Sequence, residues 1–187
     1  MKKNIWAIIA ARSGSKSIRD KNIKLLNKKP LIAYTIISAI KSRVFKKILV
    51  LTDSIKYAKI AKKYGAEIPF IRPKEISQDL STDNELYQFL IKFLDKKRIA
   101  PPDFFAHLSP VVPIRLNNVI KRGVEYFFRK KKLFESMRSV EEMSQTSYRN
   151  MRIIDGKLCS IMKKDFDLNK LNMPRQAYPK TYIANGL

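Results

Sequence analysis

The chain has 187 residues, is 45% hydrophobic and carries a formal net charge of +23. This length and apolar content predict a folded chain with a real core and argue against a disordered protein. The single cysteine, Cys159, excludes an internal disulfide framework. No apolar run in the sequence reaches the length of a membrane span, so we expect a cytoplasmic protein with no membrane partner.

The positive charge is spread along the chain rather than gathered in one place. Lysines occur as scattered pairs, and the longest basic run, residues 129–132, ends a predicted helix, where cations complement the helix dipole. No helix-turn-helix, zinc finger or aromatic-basic platform accompanies them. We therefore expect no nucleic-acid partner. A nucleic-acid-binding basic protein is the distant alternative, and its binding would be strongly salt-dependent.

Short β-rich runs alternate with amphipathic stretches, which is typical of an α/β fold with a mostly parallel open sheet flanked by helices. The predicted strands are residues 5–10, 47–53, 66–73 and 103–108, and the predicted helices are residues 30–45, 54–65, 82–97 and 117–132. Ser54 is a predicted helix cap, and Thr82 with Glu85 predicts a capping box. After Phe134 the alternation stops, and Asp155-Gly156 between two apolar runs predicts a hairpin.

The loop that follows the first strand, residues 12–22, carries the strongest chemical signal. Ligands of open parallel sheets bind at the carboxyl ends of the strands, where this loop lies. It combines small residues, which let backbone amides approach anionic oxygens, with cations that suit phosphate: Ser13, Gly14 and Ser15, and Arg12, Lys16 and Lys21. Neither GxxxxGK[ST] nor GxGxxG is present, which disfavours a P-loop kinase and a dehydrogenase. Taken alone, the loop fits a phosphate cradle or a basic surface turn.

Five stretches occur in one order along nearly the whole chain: ARSGSKSIRDKNIKLLNKKPLIAYTI, LTDS, YGAEIPFIRP, LSPVVPIR and PRQAYPKTYIANG. Together they resemble the CMP-sialic acid synthetases (acylneuraminate cytidylyltransferases). The resemblance implies a glycosyltransferase-A-like nucleotidyltransferase fold. It also implies a reaction in which CTP and a nine-carbon 2-keto sugar acid give a CMP-sugar and pyrophosphate. The stretch SMRSVEEMSQTSYRN is more similar to the branch that handles legionaminic-acid-like sugars.

The resemblance also implies an organisation for the chain. Residues 1–187 would form one cytidylyltransferase domain. Within it, residues 1–134 would be the nucleotide-binding core, and residues 135–187 would be a strand-containing segment for sugar binding and dimerisation. A homodimer is therefore expected.

The resemblance implies a role for each candidate site residue. The triphosphate and the departing pyrophosphate would be held by Arg12, Ser15, Lys16 and Lys21, of which Arg12, Lys16 and Lys21 are the expected catalytic residues. Cytidine would meet Asn22 and the backbone near Ala10 and Ala11, while Arg72 and Ser81 would read the cytosine edge. The acidic sugar would be bound by Ser109, Arg149, Arg175, Gln176 and Tyr182. Arg175 would bind its carboxylate in a bidentate manner for which lysine is a poor substitute.

Two departures from the family pattern leave alternatives open. The family usually has LQPTSPLR where this chain has LSPVVPIR, so Ser109, Val111 and Val112 replace polar residues and the identity of the sugar stays open. The chain also stops at Leu187, before the paired aspartates that bind Mg²⁺ in the family. We expect Mg²⁺ as the cofactor, with no protein ligands for it here.

The second departure leaves the extent of activity open. The chain would be either a fragment of a longer enzyme or a shortened chain that is weakly active or inactive and only binds nucleotide or sugar. A CMP-Kdo-synthetase-type enzyme is a further alternative, against which the PRQ…YIANG stretch argues.

Asp53 and His107 could bind a metal ion, but a structural role is the favoured interpretation for each. Asp53, in LTDS, could cap the following helix or bind metal, and the strong preference of Asp for the N-cap position favours the cap. His107 is the only histidine, which excludes a histidine-based metal cluster, and we expect it to be a strand residue.

Overall fold

The computed structural model describes residues 3–15, 17–116, 118–161, 174 and 177–186. The chain divides into two compact units, the first within residues 1–136 and the second within residues 137–186. The described strands are β1 (Ile5–Ala10), β2 (Leu25–Leu26), β3 (Lys29–Pro30), β4 (Lys47–Leu51), β5 (Phe104–His107), β6 (Val140–Glu142), β7 (Met151–Ile154), β8 (Lys157–Ser160) and β9 (Tyr182–Ala184). The described α-helices are α1 (Leu31–Ser42), α2 (Ile55–Lys63), α3 (Asp83–Lys96) and α4 (Val119–Lys130).

The first unit is built on a three-stranded parallel sheet in the order β4-β1-β5. Ile8 on the central strand pairs with Leu49 on one side and with His107 on the other. The α/β fold with a parallel sheet is thereby confirmed, as is the interpretation of His107 as a strand residue. Because β1 is paired along both edges, its direction and its carboxyl end are fixed by two neighbours.

The side chains of β1 alternate between two cores, one on each face of the sheet. Ala7 and Ile9 belong to a buried cluster that includes Ile32 and Ile36 of α1. Trp6 and Ile8 belong to a second cluster that includes three leucines of α3, which are Leu86, Leu90 and Leu94. A parallel strand covered by helices on both faces needs apolar residues at every position, which explains the unbroken run IWAIIA.

The helix boundaries follow local signals that the sequence already carried. The Ser54 side chain accepts a hydrogen bond from the Tyr57 amide at the start of α2. At the start of α3, Thr82 and Glu85 form the complete capping box. The first predicted helix ends earlier than residue 45, because Arg43 takes a left-handed backbone conformation with φ of 56°.

The strand predicted at residues 66–73 is wrong as a continuous element. Only two isolated parallel bridges form there, between Glu67 and Leu49 and between Ile71 and Thr52. Pro69 lies between them, and a proline has no backbone N–H to donate to a sheet ladder. The segment therefore runs alongside β4 with a gap in its pairing.

The second unit contains two antiparallel pairs, β6 with β9 and β7 with β8. The predicted hairpin at Asp155-Gly156 is confirmed, since both residues have positive φ, 49° and 74°, as a two-residue hairpin turn requires. Among the residues that the structure describes, no helix is long and apolar enough to cross a membrane.

The capping box of α3 gives a stability prediction for the first unit. Replacing Thr82 by Ala removes the acceptor of the Glu85 amide, which lies 3.2 Å from the Thr82 hydroxyl oxygen. We expect the free energy of unfolding to fall by about 1 kcal/mol, measured by urea denaturation. Thr82→Ser keeps the acceptor and serves as the control. An unchanged midpoint for Thr82→Ala, or an equal loss for Thr82→Ser, would contradict this.

Candidate functional site

A cavity of about 510 Å³ opens in the first unit where β1 and β5 end. It is lined by Ala10, Arg12, Ser15, Ser17, Lys21, Asn22, Asp79, Pro110 and Val111. Ala10 is the last residue of β1, and Pro110 and Val111 follow β5. The cavity therefore occupies the position where open parallel sheets bind their ligands.

The loop between β1 and the short 3₁₀ helix Lys21–Ile23 forms one wall of this cavity. Its two ends are joined by a hydrogen bond from Asn22 Nδ2 to the carbonyl oxygen of Arg12, at 2.9 Å. Gly14 has a φ of 74°, and a Cβ added there would meet nothing within 4 Å. The backbone conformation, and not a lack of space, is therefore what favours glycine at this position.

Asp53 holds the first turn of the loop. Its Oδ1 accepts a hydrogen bond from the Ser13 amide at 2.7 Å, and its Oδ2 accepts one from the Ser13 hydroxyl at 2.8 Å. The prediction that Asp53 caps α2 is wrong, because Ser54 occupies the N-cap position and supplies the cap. The Asp53 carboxylate is directed across to the loop instead of along its own helix.

Tyr57 holds the other end of the loop. Its hydroxyl donates to Asp20 Oδ1 at 2.9 Å, and its side chain is buried within the first unit. Burial, and then the hydrogen bond to Asp20 and the charge of that residue, raise the pKa of Tyr57 above its ordinary value. The phenol is therefore a neutral, permanent donor at physiological pH.

Arg12 lies at the mouth of the cavity in an exposed ion pair. Its Nη1 donates to the Gln78 carbonyl oxygen at 2.8 Å and to Asp79 Oδ1 at 3.0 Å. The side chain of Arg12 is 34% exposed and that of Asp79 is 41% exposed. Ion pairs this exposed contribute about 0–1 kcal/mol. A stronger anion can therefore replace Asp79 on the guanidinium at little cost.

The cavity brings together most of the residues predicted to bind nucleotide. Ala10, Arg12, Ser15, Lys21 and Asn22 all line it. Lys16 lies outside the described residues. Ala11 does not line the cavity: it is fully buried, and its amide donates to the Leu51 carbonyl oxygen at 3.0 Å as an extension of the sheet.

Arg72 and Ser81, the predicted readers of cytosine, also lie apart from the cavity lining. Arg72 is 6% exposed, and its Nε donates to the Ile76 carbonyl oxygen at 2.6 Å. Burial lowers the pKa of Arg72, and the nearby carboxylate of Asp53 opposes that change. The Ser81 hydroxyl accepts the Gln78 amide at 2.9 Å, in the same segment whose carbonyl contacts Arg12.

A second wall of the cavity, formed by Pro110 and Val111 after β5, was not predicted from the sequence. Arg115 fastens it by donating to the carbonyl oxygens of Ser109 and Val112 at 2.8 and 2.6 Å. The same guanidinium donates to the Thr35 hydroxyl at 2.8 Å, which ties the wall to α1. Arg115, the arginine of LSPVVPIR, is the residue that could have indicated this wall. Its partner Thr35 is 80 residues away, so the sequence does not reveal the contact.

The predicted sugar-binding residues fall in different parts of the chain. Ser109 is in the first unit, and its hydroxyl accepts the Val111 amide at 3.5 Å. Arg149 and Tyr182 are exposed residues of the second unit, on a short 3₁₀ helix and on β9. Arg175 and Gln176 lie outside the described residues. The second unit has a cavity of about 410 Å³, and Glu142 and Lys180 are among the residues that line it. Neither Arg149 nor Tyr182 lines this cavity.

Within the described ranges, no group of three or more His, Cys, Asp or Glu side chains is placed to hold a metal ion. Asp79 is the acidic residue among those lining the first cavity, and it pairs with Arg12. The described side chains therefore do not form a metal site by themselves.

Comparison with known proteins adds to this geometry. The Cytidylyltransferase family model matches residues 6–99. N-acylneuraminate cytidylyltransferase of Escherichia coli is 33% identical over 187 residues, which cover 99% of this chain and 43% of that protein. CMP-N,N'-diacetyllegionaminic acid synthase of Legionella pneumophila is 38% identical over 122 residues, which cover 65% of this chain and 52% of that protein.

The chain thus spans about half the length of these curated relatives. A solved structure of CMP:2-keto-3-deoxy-manno-octonic acid synthetase complexed with CTP is similar in fold, with a TM-score of 0.56 and 17% identity. That similarity covers 75% of this chain and 54% of the other. The family model covers half of the chain and agrees with the resemblance predicted from the sequence, so this chain belongs to the cytidylyltransferase family.

Proposed function

We propose that this chain transfers CMP from CTP to a nonulosonic, sialic-acid-like 2-keto sugar acid and releases pyrophosphate. The observation that carries the proposal is the cavity at the carboxyl end of β1. Arg12 and Lys21 both line it, together with Ser15 of the small-residue turn. Its volume of about 510 Å³ falls in the range of about 300–1,000 Å³ that is usual for small-molecule sites.

The triphosphate is the part of CTP that this cavity suits best. Phosphoryl transfer depends mainly on positioning and on neutralising the charge that develops on the leaving group. Arg12 offers a fork of donors to phosphate oxygens, since its pairing with Asp79 is exposed and weak. Lys21 adds a second charge from the far end of the loop. We assign both residues to the triphosphate and the departing pyrophosphate, with Lys16 as the third predicted cation.

Asn22 has a role in the loop itself. It is 6% exposed, and its side-chain amide nitrogen donates to the Arg12 carbonyl. Its side-chain oxygen and the second N–H of its side-chain amide remain for a proposed contact with cytidine. Arg72 and Ser81 remain proposed cytosine readers, although Arg72 is buried against the Ile76 carbonyl and would need to turn outward to meet a base.

We propose that Mg²⁺ binds together with CTP. Mg²⁺ usually keeps several waters and is held by substrate phosphates with one or two carboxylates. When bound, it neutralises phosphate charge. The described side chains do not gather a site for it, so the steps assigned here rest on Arg12, Lys21 and the loop amides.

The proposed second substrate is an acidic sugar like those named in the relatives, N-acylneuraminate and N,N'-diacetyllegionaminic acid. The cavity wall beside the cationic loop is apolar, being formed by Pro110 and Val111. Such a wall favours a sugar that presents methyl or acyl groups over one that presents only hydroxyls. This supports an acylated sugar, and we propose the legionaminic-acid-like branch because N,N'-diacetyllegionaminic acid carries two acetyl groups. Arg149, Arg175, Gln176, Tyr182 and Ser109 remain the proposed sugar-binding residues.

We also propose a homodimer formed through the second unit. Ile153 and Leu158 face each other across the β7–β8 hairpin, and they are 73% and 56% exposed in the single chain. Apolar cross-strand pairs this exposed are typical of surfaces that become covered.

The assignment of the two cations predicts the behaviour of their alanine variants. We expect Arg12→Ala and Lys21→Ala each to weaken CTP binding by about 10- to 100-fold, because each removes a charged partner of phosphate. Isothermal titration calorimetry measures this directly. Lys59→Ala removes an exposed lysine of α2 and is the matched control, expected to bind CTP like the wild type. Unchanged CTP affinity in both loop variants would contradict the proposed site.

The proposed reaction predicts pyrophosphate release that depends on CTP, on Mg²⁺ and on an acidic sugar. A coupled assay with N,N'-diacetyllegionaminic acid, N-acetylneuraminic acid and Kdo separates the sugar classes, and we expect the first to react fastest. CTP binding without pyrophosphate release from any sugar would identify a chain that binds nucleotide without catalysis. Neither binding nor release in a folded sample would contradict the proposed function.

A further inference from the structure

One short segment, residues 53–57, contacts the loop of residues 12–22 at both of its ends. At the near end, both oxygens of Asp53 accept hydrogen bonds from Ser13, at 2.7 and 2.8 Å. At the far end, the Tyr57 hydroxyl donates to Asp20 at 2.9 Å. The segment that leaves β4 therefore fixes the two turns of the loop that leaves β1.

We propose that Asp53 is a positioning residue, with Tyr57 as its second anchor, and that together they hold this loop in the geometry that accepts a triphosphate. The proposal rests on the proposed function of the cavity. It assigns the two residues no contact with the substrate, since neither lines the cavity.

Asp53 is negatively charged, so its electrostatic effect on a triphosphate and its effect on the position of the loop can be told apart. A carboxylate close to a triphosphate repels it, and the repulsion is stronger for a half-buried group than for one in bulk water. A side chain that only set the local potential would therefore work against binding here. Both of its oxygens instead accept hydrogen bonds from one loop residue, which is what a holding group requires.

The gain expected from this arrangement is preorganisation. A loop of small residues such as Ser13-Gly14-Ser15 has many conformations when it is free, and ordering it on binding reduces affinity. Hydrogen bonds to Asp53 order it before the ligand arrives. Asp20 has a left-handed backbone, with φ of 54°, and its bond to the buried Tyr57 phenol stabilises that uncommon conformation.

The Asp53→Ala variant separates positioning from charge, because the two effects have opposite signs. Removing a negative charge should tighten CTP binding if charge dominates. Losing both bonds to Ser13 should weaken it about tenfold if positioning dominates, and we expect the weakening. Because reversible unfolding also weakens the apparent affinity, in proportion to the folded fraction, circular dichroism must show Asp53→Ala to be as folded as the wild type in the calorimetry buffer.

Two further variants complete the design. Asp53→Asn keeps an acceptor for the Ser13 amide and a polar partner for its hydroxyl, so we expect most of the affinity to return. Tyr57→Phe keeps the buried ring but removes the bond to Asp20, and we expect CTP binding to weaken severalfold; it also serves if Asp53→Ala does not fold. Glu67→Ala and Tyr64→Phe are the matched controls, outside the loop contacts, and should bind CTP like the wild type.

Amide hydrogen exchange tests the same arrangement without any ligand. The Ser13 amide should exchange slowly in the wild type and faster in Asp53→Ala. Equal exchange rates, or CTP binding by Asp53→Ala that is equal to or tighter than that of the wild type, would overturn the positioning proposal. Absence of CTP binding by the wild-type chain overturns the proposed function instead, and the exchange rates still decide whether Asp53 holds the loop.

Discussion

The pairing of β1 along both of its edges is the constraint on which the site depends. Because β4 and β5 flank it and apolar helices cover both faces, Ala10 ends the strand at a fixed place in the molecule. The loop that follows starts from that fixed point, and so do its cations. An exposed or edge strand would leave the same residues on a mobile turn, where their charge would be screened by water.

Although the chain is strongly basic, a few carboxylates lie beside the cations of the site and at the ends of its loop. The described part of the cavity wall holds Arg12 and Lys21 beside Asp79, while Asp53 and Asp20 hold the two ends of the loop. In the proposed site these acids order the loop without neutralising its cations, since the ion pair of Arg12 with Asp79 is exposed and weak. In the proposed reaction, the net charge of +23 would also attract the anionic CTP at longer range.

Much of the fold could be predicted because its signals are local. The apolar run of β1, the Thr82–Glu85 capping box and the Asp155-Gly156 hairpin each depend on residues within a few positions of one another. The position of the cationic loop directly after the first strand is also a local feature, and the structure has the loop there. The predictions from sequence are wrong where a residue's contact partner is distant in the sequence, or where a single residue interrupts a secondary-structure pattern. The sequence favours a helix cap for Asp53, because its partner Ser13 is 40 residues away and leaves no local signal. Pro69 interrupts pairing in a segment that otherwise has strand composition.

The most direct test of the central claim is a crystal structure of this chain with CTP. We expect the triphosphate to lie at the carboxyl end of β1, in contact with Arg12, Ser15 and Lys21, with Arg12 released from Asp79 and Ser13 still bonded to Asp53. Ordered CTP bound elsewhere on the chain, with this cavity empty, would contradict the claim that the loop after β1 is the phosphate-binding element.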